Sequence, residues 1–251
     1  MQELEIKTEA EIEIMRKGGQ KLARVKKALF KEVKEGKSAY DLEILANRLI
    51  TEEQAKPSFK MVPGYTWATC VNVNAGLVHG IPTKQVIFNK GNVISVDLGI
   101  FDQGFHTDTS FSVGIEVDAE TEGFLQVGRQ ALKKAIEVCR TGKRIYDISE
   151  AIQTTVEAAG YTPIKALTGH GVGRSLHEEP AIPCFVPGPK EKSLSLTEGM
   201  ILAIEVMYCQ GRPEVVLEKD GWTISMRDGK IAALFEETVA VTKHGPLVLT
   251  A

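Results

Sequence analysis

Two aspartates in an alternating segment are the first residues of this chain whose types and spacing could do chemistry. Asp97 and Asp108 lie within residues 93–113, where apolar and polar residues alternate on both sides of Asp102, Gln103 and Gly104. Alternation of this length predicts two half-buried strands, and the Asp/Gly cluster predicts a hairpin turn between them. If Asp102 and Gln103 form the loop, the two aspartates are directly opposed, and another turn type makes them diagonal neighbours.

Either hairpin puts the two carboxylates on one face of the sheet, about 4.5–8 Å apart. Like charges at such a separation destabilise a sheet unless something compensates them, and a divalent cation is the obvious candidate. The alternative is that both aspartates are ordinary exposed side chains on the polar face of the hairpin.

Further carboxylates lie in strongly apolar segments. Glu205 is in the middle of residues 201–207 (ILAIEVM), and Glu236 and Glu237 follow the apolar residues 232–235. A carboxylate in a buried strand must be paired, protonated or bound to a metal. Alternation puts Glu236 and Glu237 on opposite faces without saying which faces a site. No Lys or Arg lies next to these acids in the sequence, which weakens a buried salt bridge as the explanation.

Three histidines lie in loop-like segments. His79 is within residues 78–82 (VHGIP), and His170 and His177 are within residues 169–180 (GHGVGRSLHEEP). Glycines on both sides of His170 indicate close backbone approach or an unusual φ angle. The alternatives are a structural histidine at position 79 and a turn-rich surface loop around His170.

Together these residues form an oxygen-rich donor set that contains no cysteine. Two aspartates, two glutamates and one or two histidines suit two divalent ions that share bridging carboxylates. Such ion pairs activate water and polarise a carbonyl or phosphoryl oxygen. Residue types and spacing leave both amide and phosphoester hydrolysis open.

The predicted elements that must position these residues follow the same order twice. A capping box at residues 8–11 predicts a helix that ends at Gly36, and a second box at residues 38–41 predicts a helix that ends before Pro57. Residues 121–139 and a helix capped from Asp147 through Ala159 repeat the pair. Beyond the hairpin, strands are predicted at residues 69–74, 200–210, 213–217, 222–226 and 231–242, and loops at 74–83 and 168–189. The order predicts one α+β domain over residues 1–251, with helices on one face of an antiparallel sheet.

The motifs together resemble those of type I methionine aminopeptidases of the short bacterial form, in peptidase family M24. The resemblance covers essentially the whole chain and rests on segments 79–82, 104–110, 169–174, 177–180, 204–205 and 235–238 with Asp97. It implies the pita-bread fold, whose two pseudo-symmetric halves agree with the repeated element order. It also implies removal of N-terminal methionine from nascent proteins through attack of metal-activated water on the first peptide bond, with a small second residue preferred.

By this resemblance, two ions of Co, Mn, Fe(II), Zn or Ni are bound by five side chains. The implied metal ligands are Asp97, Asp108, His170, Glu205 and Glu236, with Asp108 and Glu236 bridging. The family pattern of an aromatic residue, Glu, any residue and Thr selects Glu236 over Glu237. His79 would lie beside the scissile bond, His177 would stabilise the oxyanion, and Glu205 would also act as general acid and base.

The substrate pocket implied by the resemblance departs from the family pattern. The implied lining residues are Tyr65, Cys70, Leu176, Trp222, Phe59 and Val62. Leu176 stands where the family usually has Phe, and Phe59 and Val62 stand where it commonly has Cys and Tyr. Val206 replaces the usual Pro after the glutamate. Hydrolysis is therefore expected, with the preference for methionine open to change by about 1–3 kcal/mol per contact.

Composition narrows the class of protein. The chain has 251 residues and a net charge of −3, which gives no hint of sequence-specific nucleic acid binding. No apolar run reaches membrane-spanning length, and the N-terminus has no signal-peptide core, so a cytoplasmic protein and a monomer are expected. The four scattered cysteines are expected to be reduced thiols. Basic residues of the first helix form either a solvated face or a contact with the ribosome.

Two other functions compete with this interpretation. One is a pita-bread peptidase of the Xaa-Pro or prolidase type, although such proteins usually carry a large N-terminal domain and the 79–82 motif argues against them. The other is a metal-free pita-bread protein that serves as a binding module. Loss of metal ligands would mark such a protein, and every implied ligand is present in this sequence.

Overall fold

The computed structural model of the protein describes residues 4–251, so the first three residues of the predicted domain lie outside the described residues. The described residues contain four α-helices: α1 Glu9–Glu32, α2 Ala39–Glu52, α3 Ala119–Val138 and α4 Ile145–Ala158. The strands are β1 Lys56–Pro57, β2 Thr69–Val73, β3 Gly76–Val78, β4 Val93–Asp102, β5 Phe105–Gly114, β6 Thr162–Pro163, β7 Thr168–Gly171, β8 Glu178–Pro183, β9 Ile201–Cys209, β10 Val215–Leu217, β11 Ile224–Met226, β12 Ala232–Thr242 and β13 Gly245–Val248.

The helix starts predicted from capping boxes are confirmed at Thr8 and Ser38, whose side chains accept from the third helical residue of α1 and α2. Helix α1 ends at Glu32 rather than at Gly36. The chain turns before Gly36, whose N–H donates to the Phe88 carbonyl at 2.9 Å, and its φ of +79° serves that turn. These contacts with the 84–91 region end the helix earlier than the glycine alone suggests.

Helix α4 begins two residues before the predicted cap. Asp147 is the third residue of the helix, and its side chain accepts from the Arg144 N–H at 2.8 Å. The acid therefore caps the helix from within the first turn, where carboxylates are favoured by the helix dipole.

The main sheet joins the two halves of the chain at its centre. Its strand order is β1-β4-β5-β12-β9-β7-β8, with β2 on β4, β13 on β12 and β6 on β9. Every paired register in it is antiparallel, and the β5–β12 pair connects the first half to the second. The predicted antiparallel sheet and repeated halves are therefore confirmed in outline.

Two segments predicted as loops contain strands. Strand β3 lies within residues 74–83, and β7 and β8 lie within residues 168–189. These strands are short, and the β7–β8 register shifts between Gly169 and Gly171, so they give no clear alternation in sequence. Strands β1, β6 and β13 are likewise too short to predict.

The helices cover one face of the sheet in two clusters. Helices α1 and α2 pack through residues such as Leu22 and Leu42 on β4, and α3 and α4 pack through residues such as Leu125 and Ile148 on β9 and β12. The opposite face is also covered, because β5 is buried on both faces from Phe105 through Ser112. The prediction of half-buried hairpin strands is therefore wrong, since the polar face lines an interior site.

All four cysteines are free and buried, as the sequence predicts for reduced thiols. In the part of the chain that the structure covers, no helix combines the length and hydropathy that crossing a bilayer requires.

Candidate metal centre

The register of the β4–β5 hairpin sets the separation of the two aspartates. Asp102 pairs with Phe105, so Gln103 and Gly104 form the loop, with φ angles of 49° and 91°. Two positive φ angles are typical of the type I′ turn that joins tightly twisted strands. Asp108 therefore pairs with Gly99 and not with Asp97. The two aspartates are diagonal neighbours on one face.

A row of directly paired residues crosses four strands of the sheet. Asp97 on β4 pairs with Ser110 on β5, Ser110 pairs with Glu236 on β12, and Glu236 pairs with Glu205 on β9. Directly paired residues project from the same face of a sheet. Three carboxylates from both halves of the chain are thus aligned on one face.

Asp108 and His170 join this row by alternation. Asp108 lies two residues before Ser110, and His170 on β7 pairs with Ala203, two residues before Glu205. Because side chains two residues apart share a face, both project toward the row. The structure therefore brings together all five residues implied as metal ligands.

The donor atoms are close enough to share ions. Ligand atoms of Asp108, His170 and Glu236 all lie within 4.8 Å of one another. His170 Nε2 lies 3.5 Å from Glu205 Oε1. His170 Nδ1 lies 2.8 Å from the Gly171 carbonyl oxygen, to which its N–H donates, and this leaves the Nε2 lone pair for the acids.

Burial perturbs the ionisation of the whole cluster. It raises the pKa of Asp97 to about 7 and raises the pKa values of Asp108, Glu205 and Glu236 well above their ordinary range. The neighbouring acids add to the increase in the pKa of Asp108 and of Glu236. Burial also lowers the pKa of His170 to about 4, so its imidazole is neutral and available as a ligand.

Two oxygens of the cluster have no protein partner. Within residues 4–251, Asp97 Oδ1 and Glu236 Oε1 are buried without a hydrogen bond, and no Lys or Arg lines the cavity around them. Buried carboxylates require a cation or a hydrogen bond. Four carboxylates and a neutral imidazole, with unsatisfied oxygens aimed inward, therefore fit divalent metal ions.

The neighbouring acid Glu237 has a different environment on the opposite face. Its carboxylate lies 2.6 Å from Lys26 Nζ of α1 and accepts from Thr109 Oγ1 at 3.0 Å and from Thr250 Oγ1. The absence of a neighbouring Lys or Arg in the sequence therefore did not exclude an ion pair for Glu237. The partner comes from a helix 211 residues away in sequence.

A cavity of about 220 Å³ adjoins the carboxylates and contains both loop histidines. His79 has a left-handed backbone with φ of 58°, and the His177 ring lies 4.5 Å from the His170 ring, centroid to centroid. Burial lowers the pKa values of His79 and His177. Both rings can therefore offer a neutral N–H to a bound polar group.

The other end of the cavity is apolar. A separate hydrophobic cluster contains Phe59, Tyr65, Cys70 and Leu176, with Val62 and Trp222 packed against it. All six residues implied as the substrate pocket therefore line the same cavity. Tyr65 is held by its hydroxyl, which donates to the Thr69 carbonyl at 2.9 Å.

Two residues near this pocket were missed in the sequence. Val78 lines the cavity, and Trp67 packs on Tyr65 with ring centroids 5.2 Å apart. Val78 directly precedes His79, so its position next to that histidine was the available signal. Trp67 lies in a segment without periodicity, so the sequence contained no signal that it would lie near the pocket.

Comparisons with known proteins identify the family to which this chain belongs. The model of metallopeptidase family M24 matches residues 13–243. The chain is 38% identical to a methionine aminopeptidase of Aquifex aeolicus over 98% of each chain, and 39% identical to methionine aminopeptidase 1 of Bacillus subtilis over 97% of this chain and 98% of the relative. A crystal structure of methionine aminopeptidase from Thermotoga maritima matches with a TM-score of 0.95 and 40% identity over 99% of both chains. The resemblance and the pita-bread fold predicted from the motifs are confirmed.

More distant structures share the fold alone. A prolidase from Pyrococcus furiosus matches with a TM-score of 0.78 and 22% identity, and this chain covers 65% of its length. The prolidase and binding-module alternatives are not favoured beside whole-length relatives of higher identity.

Proposed function

Because the chain belongs to metallopeptidase family M24, we propose that its site releases the N-terminal methionine of peptides and nascent proteins by hydrolysing the first peptide bond. Relatives over the whole length are methionine aminopeptidases, and the chain is a metal-dependent aminopeptidase. A small second residue is the preferred neighbour of the methionine. The observation that carries the proposal is the meeting of the five donors with an apolar pocket in one cavity.

We assign the five donors to two divalent ions. Asp97, Asp108, His170, Glu205 and Glu236 would hold them, and the family pattern implies that Asp108 and Glu236 would serve both ions. When bound, such ions supply an activated water and polarise the carbonyl that is attacked. The metal is one of Co, Mn, Fe(II), Zn or Ni.

The remaining polar groups have roles set by their positions. His177, which lines the cavity beside His170, donates to the carbonyl oxygen as charge develops on it, which is worth about 3–4 kcal/mol in comparable sites. His79 faces the substrate amide from the opposite loop. Glu205, which adjoins the proposed ions, would accept a proton from the attacking water and pass it to the leaving amine.

The apolar end of the cavity holds the methionine side chain. Phe59, Tyr65, Cys70, Leu176 and Trp222 provide aromatic and small apolar contacts, and Val62 completes the wall. Flexible thioethers bind well against aromatic edges. The pocket lacks a charged wall among the described residues, which is consistent with an unbranched apolar side chain.

The test is a comparison of peptides on protein stripped of metal and then reloaded. We expect release of methionine from Met-Ala-Ser only after addition of Mn²⁺ or Co²⁺, and little cleavage of Ala-Pro peptides. Rapid cleavage of Ala-Pro with none of Met-Ala-Ser would favour the prolidase alternative. Metal binding without cleavage of either peptide would favour a binding module.

The broader expectations are proposals of the same kind. Both halves of the chain contribute ligands, which supports one catalytic domain over residues 1–251. A monomer in the cytoplasm, where nascent chains emerge, is consistent with such an enzyme. Size-exclusion chromatography with light scattering measures the oligomeric state directly.

Contact between α1 and the ribosome is a separate proposal. Lys21, Arg24 and Lys26 already pair with Asp102, Glu53 and Glu237. Lys27, Lys31, Lys37, Arg48 and Lys84 line a groove of about 900 Å³ between α1 and α2, with acids Glu32 and Asp41. Cosedimentation with ribosomes that weakens as salt rises, and weakens further in Lys27→Glu/Lys31→Glu, is the expected result. Salt-independent binding or none would exclude this contact.

A further inference from the structure

Lys7 is a buried cation outside the catalytic cavity. It lies in the segment before α1, and its side chain is 0% exposed. Its ion-pair partners Glu178 and Glu5 have side chains that are 7% and 41% exposed. Glu178 begins β8 and directly follows His177 in the chain. The buried pair thus joins the amino-terminal segment to the residue next to a proposed catalytic histidine.

The segment that carries Lys7 is fixed to a second part of the site. The Lys7 N–H donates to the Gly199 carbonyl at 2.8 Å, just before β9, which carries Glu205. The Lys7 side chain then crosses Gly173, where an added Cβ would lie 2.3 Å from Lys7 Cε. The glycine at position 173 therefore leaves room for the lysine stem.

Glu178 also closes the loop that carries His177. Its Oε2 pairs with Lys7 Nζ, and its Oε1 accepts from the Ser175 N–H at 3.0 Å. The loop from Gly173 to Glu178 is thereby held at both ends, since the Gly173 carbonyl accepts from the His106 N–H on β5 at 2.7 Å. Lys7 Nζ provides the positive charge that pairs with the Glu178 carboxylate in this loop.

Burial of an ammonium group costs several kcal/mol in lost hydration, and an ion pair offsets this cost only when its geometry is good. The exposed ion pair between Lys243 and Glu9 shows that the start of α1 can be attached to the rest of the protein at the surface. A buried pair fixes geometry more tightly because neither partner can move into solvent. The segment it fixes carries Leu176 of the pocket wall as well as His177.

We propose that Lys7 is a positioning residue that acts through Glu178 to hold His177 against the substrate carbonyl. The inference rests on the proposed function, because it takes His177 as the donor to the oxyanion. Small displacements of such a donor reduce the rate more than they reduce binding of the substrate.

The test is Lys7→Met, which keeps the length of the side chain and removes its charge. We expect kcat for Met-Ala-Ser to fall about 10- to 100-fold with KM changed less than about threefold. Mn²⁺ binding measured by calorimetry should match the unchanged protein, since no metal ligand is touched. The matched control is Lys243→Met, which removes an exposed lysine and should leave kcat unchanged.

A double-mutant cycle separates positioning from a general structural role. In a His177→Ala background, Lys7→Met should lower kcat by less than about twofold. The imidazole that Lys7 is proposed to position is already absent from that background. An equal loss in both backgrounds would overturn the inference, and so would full activity of Lys7→Met. If Lys7→Met does not fold, Glu178→Gln tests the same contact under the same criteria.

The same experiments distinguish failure of the proposed function from failure of the role proposed for Lys7. Failure of the unchanged protein to release methionine would contradict the proposed function itself. Release by the unchanged protein, together with a normal rate in Lys7→Met, would contradict only the role of Lys7. Full activity of His177→Ala would remove the donor on which the inference depends and would overturn it.

Discussion

Glu236 and Glu237 are adjacent on β12, and their side chains lie in different environments on opposite faces of the sheet. Glu237 faces the helices, where Lys26 and two threonine hydroxyls satisfy its charge. Glu236 faces the cavity, where its Oε1 lacks a hydrogen-bond partner among the described residues and the nearest charged groups are other acids. The protein neutralises one carboxylate with its own cation and leaves the other for a ligand.

The same difference separates the two faces of the sheet. The helix-covered face buries apolar side chains and contributes most of the core. The cavity face concentrates four acids whose ionisation is opposed by burial and by mutual repulsion. The helix-covered face therefore provides most of the stability. On the cavity face, the buried carboxylates oppose folding when they are ionised, and a bound metal ion relieves this cost.

The strongest test of this comparison removes a shared ligand. Asp108→Ala should abolish tight binding of Mn²⁺ and lower kcat/KM by about a thousandfold or more, because Asp108 would serve both proposed ions. Its control is Glu237→Gln, which should retain metal stoichiometry although it loses an ion pair. Calorimetry and methionine release measure both. Retained metal in Asp108→Ala, or lost metal in Glu237→Gln, would reverse the roles assigned to the two faces.

The next test separates chemistry from metal binding on the cavity face. His79→Ala should keep its metals and lose about 100-fold in kcat, the usual size for removal of a positioned proton donor. Metal analysis after gel filtration, together with kinetics on Met-Ala-Ser, provides the measurement. A variant that loses its metals would instead place His79 among the ligands.

On the helix-covered face, Lys26→Met should affect stability and not chemistry. Lys26 and Glu237 are 17% and 18% exposed, and removal of one partner leaves the other carboxylate largely buried. We expect a loss of about 2–3 kcal/mol in the free energy of unfolding of the metal-free protein, with unchanged affinity for Mn²⁺. Urea unfolding and calorimetry measure these quantities. A large change in metal affinity would show that the two faces are coupled.

The smallest expected effect is a gain of stability on the cavity face. Burial raises the pKa of Asp97 to about 7, so the folded metal-free protein binds this proton more tightly than the unfolded chain. Its stability therefore falls as pH rises from about 4 to about 7, and Asp97→Asn removes that loss. We expect Asp97→Asn to be more stable than the unchanged metal-free protein by about 1–3 kcal/mol at pH 8, and by less at pH 5.

A control for this pH effect has a carboxyl whose pKa moves in the other direction. A hydrogen bond from the Thr121 N–H lowers the pKa of Asp118, so its titration is complete below pH 5. The effect of Asp118→Asn on urea unfolding should therefore be equal at pH 5 and pH 8. If Asp97→Asn shows the same constancy, the buried acid is not the source of the pH dependence.

Much of the fold could be predicted because its signals are local. Capping boxes at Thr8 and Ser38 and long apolar periodicity located α1, α2 and the central strands to within a few residues. The same held for the site, where carboxylates in apolar strands and glycine-framed histidines are unusual in themselves. All five proposed ligands line one cavity, and their roles as ligands stay predictions.

What could not be predicted depends on contacts between distant parts of the chain. The pairs Lys26–Glu237 and Lys7–Glu178 join residues 211 and 171 positions apart, and nothing in the local sequence of either partner identifies the other. The register of the hairpin depended on which two residues formed its turn, and composition allowed both choices. Short strands such as β7 form because neighbouring strands supply their partners, so they leave no periodicity to detect.

The turn at Gln103 and Gly104 has a consequence for how this chain tolerates changes in length. Most insertions between strands are absorbed by loops that lead away from the sheet. A residue added within the paired parts of β4 or β5 between Asp97 and Asp108 has no such loop to enter, since the strands remain paired up to the turn. If one strand slipped by a single position to accommodate it, every side chain on that strand would exchange faces, and one aspartate would point at the helices. The number of residues between the two aspartates is therefore as much a part of the site as their carboxylates.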